Sequence, residues 1–137
     1  MRTIRHIVIH CTATPQTTTV ESIQRHWRDV LKWKSPGYHL IILPDGSFQR
    51  LAPDEATTNG VAGHNANSIH ISYIGGVDSQ NRPIDNRTPQ QRNTMLTLVR
   101  TLRSRYPHAE VLGHRDFPGV AKACPSFDVR SWLREMQ

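Results

Sequence analysis

Apolar positions along this chain change period several times, and each change marks an element. "RHIVIH" (5–10) is a short β-branched run that gives way to "CTATP", which predicts a buried strand running into a loop, with His10 at its carboxyl end. In "TVESIQRHWRDVLKW" the apolar residues Val20, Ile23, Trp27, Val30 and Leu31 recur at helical spacing, and Thr18 followed by Glu21 fits a capping box. "GYHLIILPDGSFQRL" is two extended runs about "PDG", a hairpin whose first strand opens with Tyr38 and His39. After the polar loop "GVAGHNAN", "SIHISYIGGV" carries hydrophobic residues on both faces, the pattern of a central strand. The surface loop "DSQNRPIDNR" leads into a helix with Thr88 as cap, Pro89 at its first position, Gln91 closing the box and Met95, Leu98, Leu102 and Tyr106 along one face. "EVLGH" is a further short strand ending at His114, and "DVRSWLREM" a closing helix capped by Asp128. The alternation predicts an α/β fold, a mixed central β-sheet flanked by about three helices, without internal repeats.

Composition narrows this picture. The 137 residues with 36% hydrophobic content suffice for one domain, 1–137, with a core that needs no covalent staples. Cys11 and Cys124 are too few for a disulfide framework. "MRTIRHIVIH" has only a short apolar run and does not resemble a signal peptide, and no stretch approaches the ~20 apolar residues of a membrane span. The expectation is a soluble chain made in the reducing cytoplasm without a signal peptide, and a monomer. The formal charge of +6 suits an anionic partner, whether nucleic acid, anionic lipid or cell-wall polymer.

Candidate chemistry concentrates in "LGHRDFPGVAKACPSFDV" (112–129), a Gly- and Pro-rich stretch suited to holding side chains over a site. In open α/β sheets, sites gather outside the carboxyl ends of strands, where His10 and His114 are both placed. Cys124 follows His114 on a loop able to fold back. Two imidazoles and a thiolate make a three-ligand zinc site, with a fourth position free for water. The bland alternative is an accidental trio among eight histidines. His6, His26 and His108 carry no such signal, and Cys11, by strand alternation, points to the opposite face as a buried core thiol.

The segments "IVIHCTAT", "GYHLIILPDGSFQRL", "NSIHISYIGGVD", "TPQQ" and "GHRDFPGVAKACPSFDV" resemble, in order and over nearly the whole chain, the zinc-dependent N-acetylmuramoyl-L-alanine amidases of the phage T7 lysozyme and peptidoglycan recognition protein family. The resemblance implies Zn²⁺ on His10, His114 and Cys124, and catalytic roles for Tyr38 and Lys122. It also implies peptidoglycan as the substrate, with no nucleic acid required, and the bacterial cell wall as the place of action. Two features depart from the family: His70 stands where a Gly is common, and the "GHNAN" loop is short. His64 and Asn67 are candidates for substrate contact in the groove, Arg115 and Asp116 for contacts around the ligands or substrate, and His70 has no assigned role. Three readings follow. The chain is a zinc amidase cutting between N-acetylmuramic acid and L-alanine, a non-catalytic peptidoglycan binder, or a Cys-His hydrolase with Cys124 as nucleophile. Cys124 argues against the second, and Pro125, which lacks an N–H for an oxyanion, against the third.

Overall fold

Two almost wholly buried strands, β1 (His6–Cys11) and β4 (Ser68–Tyr73), lie side by side in the middle of a five-stranded sheet. A computed structural model describes residues 2–136; Met1 and Gln137, the ends of the expected domain, lie outside the described residues. The strand order is β3-β2-β4-β1-β5. β2 (Leu40–Ile42), β4, β1 and β5 (Glu110–Gly113) run parallel, and β3 (Phe48–Arg50) pairs antiparallel with β2 through the expected hairpin. The sheet is therefore mixed, and β4 is central as its sequence predicts. Its two faces differ, however: Ile69, Ile71 and Tyr73 enter the main core, while Ser68, His70 and Ser72 are equally buried on the other side.

Against the first face pack α2 (Pro89–Arg105) and α3 (Val129–Glu135). Met95, Val99 and Leu102 of α2 and Val129 and Trp132 of α3 join Ile7, Ile9 and Cys11 in one cluster. The α2 cap is the predicted one: Thr88 Oγ1 accepts from Gln91 N at 3.0 Å, and Gln91 Oε1 accepts from Thr88 N at 3.0 Å. Gln91, fully buried, also donates to the carbonyls of Ile42 and Ile74, which bolts the helix start to the carboxyl ends of β2 and β4.

The second face carries α1 (Val20–Arg25) and the loops that bound the site. Here the structure corrects two expectations. The cap is Thr19, whose hydroxyl accepts from Ser22 N at 3.1 Å, one residue later than the Thr18 box predicts. The helix then widens into a single π turn, His26–Val30. The added residue per turn rotates the stripe, so Trp27 stays in the core while Val30 and Leu31 face solvent. Among the described residues, no helix is long and apolar enough to cross a membrane.

Candidate metal and catalytic cleft

Register brings the two candidate histidine ligands together. Ile9 of β1 pairs with Gly113 of β5, so the next residue on each parallel strand, His10 and His114, emerges beside the other at the carboxyl edge, with ring centroids 4.9 Å apart. Cys124 is returned to them by a backbone bond, Arg115 N to Cys124 O at 2.9 Å. Gly113 allows this approach, since a Cβ there would lie 2.8 Å from Pro125 Cδ. One nitrogen from each histidine and the Cys124 sulfur all fall within 4.8 Å of one another. His10 turns Nδ1 toward Cys124 Sγ at 3.7 Å, and Cys11 N donates to the same sulfur at 3.2 Å. The Cys11 side chain lies on the opposite face, in the main core, as alternation predicts.

The donor set is electrostatically suited to a cation. Burial lowers the pKa of His10 well below its ordinary value, and His70, His114 and Lys122 lower it further. Burial and the Lys122 charge likewise lower His114. Both rings are therefore neutral at physiological pH, the form that ligates metal. Contact with the Cys11 thiol and burial raise the Cys124 thiol, while the backbone N–H of Cys11 works in the other direction. Two neutral imidazoles and one sulfur suit a borderline-soft ion such as Zn²⁺, with a fourth position available.

These residues sit in a cleft of about 870 Å³ whose lining includes Trp27, Trp33, Tyr38, Asn65 and Lys122. Among the described residues, no aspartate or glutamate lines it. The Tyr38 ring lies 5.1 Å from that of His10 and edge-on to Trp27 at 5.3 Å, and its hydroxyl donates to Cys11 O at 3.3 Å. Burial, then the neighbouring Cys124, push its phenol pKa upward, so it remains a hydrogen-bond donor. Lys122 is exposed at the cleft rim.

Other sequence candidates fall elsewhere. His64 does not line the cleft; its ring packs on Phe117 at 4.5 Å, near His6. Asn67 is likewise absent from the lining and donates instead to Thr3 O at 2.9 Å, pinning the amino-terminal segment. Asn65 of the same loop lines the cleft. Asp116 closes its own turn by accepting from Gly113 N at 2.8 Å, and Arg115 contributes the backbone tie to Cys124. Sequence reasoning left His70 without a role. It is fully buried, with Nδ1 2.9 Å from His10 Nε2. Nor does it single out Trp33, or Trp27, whose helical spacing signals core and not cleft wall.

The sequence and the fold of this chain match known proteins. A profile of the N-acetylmuramoyl-L-alanine amidases matches residues 1–127, and the chain belongs to that family. Among curated proteins it is similar to the endolysin of Enterobacteria phage K11, 35% identical over 127 residues covering 92% of this chain and 83% of the relative. The endolysin of Escherichia phage T7 is likewise 35% identical over 128 residues, with the same coverage of each. Among solved structures, the Ph2119 endolysin from Thermus scotoductus MAT2119 bacteriophage Ph2119 superimposes with a TM-score of 0.83 at 26% identity, covering 98% of this chain and 85% of that one.

Proposed function

We propose that this protein is a zinc-dependent N-acetylmuramoyl-L-alanine amidase that hydrolyses the amide joining N-acetylmuramic acid to the L-alanine of the peptidoglycan stem. The observation that carries the reading is the convergence of His10, His114 and Cys124 in the one cleft that also holds Tyr38 and Lys122. His10, His114 and Cys124 would hold the ion. When bound, Zn²⁺ supplies a water of pKa about 7 and Lewis-acid polarisation of the scissile carbonyl.

The remaining chemistry belongs to the side chains. Attack on an amide carbonyl builds negative charge on its oxygen, and pre-placed donors lower that barrier most. Tyr38, a phenol held protonated at the cleft wall, would turn its one O–H from Cys11 O to donate to that oxygen. Lys122 presents its positive charge from the opposite loop. Trp27 and Trp33, ring centroids 6.3 Å apart and stacked, give the cleft an apolar wall on which a sugar face can lie. The absence of carboxylates from the lining disfavours glycosidic cleavage, which calls for a flanking pair of acids.

The test is metal stoichiometry. We expect one zinc per chain by elemental analysis, and Cys124→Ser to lose metal and hydrolysis together. A variant that keeps stoichiometric zinc while losing hydrolysis would contradict the ligand assignment. Stoichiometric zinc without any hydrolysis in the wild type would favour a non-catalytic peptidoglycan binder.

A further inference from the structure

His70 lies outside the ligand trio, yet its surroundings are built around its ring. β4 pairs with β1 so that Val8 opposes His70, which places His70 and His10, two residues on from Val8, on the same face. Their ring centroids are 4.9 Å apart, and His10 Nε2 lies 2.9 Å from His70 Nδ1. The far nitrogen, His70 Nε2, lies 2.9 Å from Asn65 Oδ1. Gly60 lies against the ring so closely that a Cβ would come within 2.3–2.4 Å of Nδ1, Cε1 and Cγ. No other residue type fits at Gly60 while His70 keeps this position.

The direction of the hydrogen bonds follows from one backbone amide. Val61 N donates to Asn65 Oδ1 at 2.8 Å, which identifies that atom as the amide oxygen, an acceptor only. His70 Nε2 must therefore donate to it. In a neutral ring Nδ1 then carries the lone pair, so His10 Nε2 must donate to Nδ1. His10 is left with its own lone pair on Nδ1, the nitrogen that faces Cys124 Sγ. Val61 N and His70 Nε2 thus both donate into Asn65 Oδ1, and His10 donates in turn to His70, so every hydrogen bond of the network points toward Asn65.

We propose that His70 is a positioning residue of the metal centre. Anchored by Asn65, it fixes His10 in the Nε2–H tautomer and aims Nδ1 into the site, raising the basicity of that donor through the hydrogen bond. The proposal rests on the zinc reading above for its consequence, though the tautomer itself exists without metal.

Two measurements separate these levels. Long-range ¹H–¹⁵N correlation spectra of the metal-free protein should show His10 protonated at Nε2 and His70 protonated at Nε2. A His10 pattern protonated at Nδ1 overturns the proposal. Zinc titration against a competing chelator should show His70→Leu binding about 10–100-fold more weakly than wild type. His70→Asn, whose Oδ1 accepts near the position of Nδ1, should recover most of that affinity and restore the His10 tautomer. Equal affinity and an unchanged His10 tautomer in His70→Leu would overturn the assignment. Should His70→Leu fail to fold, the wild-type spectrum and the Asn variant still decide it. A wild type that shows the Nε2–H pattern but takes up no zinc supports the positioning role and contradicts the zinc reading instead.

Discussion

Tyr38 and Lys122 reach the cleft by different routes, one as a half-buried ring wedged between His10 and Trp27, the other as an exposed ammonium on a loop. Neither is among the three clustered donors, so substituting either should spare the metal. We expect Tyr38→Phe and Lys122→Ala to retain zinc and lower kcat by ~10²–10³, the usual loss on removing one oxyanion donor. Single-turnover kinetics beside metal analysis checks this; unchanged turnover in either variant would leave that residue a packing or surface role. At this scale the sequence was informative where strand ends were: His10 and His114 follow β-branched or strand-like runs directly. His70 was illegible because its partner lies on another strand. Only knowledge that β4 pairs with β1 in this register makes the two histidines neighbours. The composition of the loop does not reveal which of its polar residues turns toward the cleft: Asn65 does, held by Val61 N, while His64 and Asn67 are absent from the lining.

Elements were legible in proportion to how local their signals are. The cap and stripe of α2, the hairpin turn and the Asp128 cap are each written within a few residues, and each is found. α1 was misread because adjacent threonines offer two caps, and because nothing local announces a π turn. Between elements, Asp54 ties the β3 edge to the end of α2. It accepts from Arg50 at 2.8 Å and from Arg105 and Tyr106. Burial alone would raise its carboxyl, but the hydrogen bonds from Arg50 and Arg105 outweigh it and hold the pKa below 3.8. A depressed acid stabilises the fold above its unfolded pKa, and that contribution is lost as pH falls through the folded value. Asp54→Asn should therefore destabilise the protein at neutral pH by on the order of 1–3 kcal/mol. The gap to wild type should close below about pH 4. Denaturant melts across pH test this, and a gap that persists undiminished in acid would rule the ion pairs out as its source.

For the molecule as a whole, charge and cleft divide the work of recognition. With 17 basic residues against 11 acidic, the chain carries a net positive charge that would attract an anionic wall polymer over distances that salt screens to ~8 Å at physiological strength. Binding to purified sacculi should weaken steadily as salt rises, measured by pelleting; binding indifferent to salt would assign recognition to the cleft alone. A His-His-Cys centre with a phenol and an ammonium, and with no acid lining it among the described residues, is equipped for an amide carbonyl. The most direct test is mass spectrometry of the soluble products from digested sacculi, with and without chelator. A zinc amidase releases peptides with new L-alanine amino termini, leaves glycan chains intact and releases nothing once metal is removed. New reducing sugar ends without free alanine amino groups, or release that continues undiminished in chelator, would contradict it.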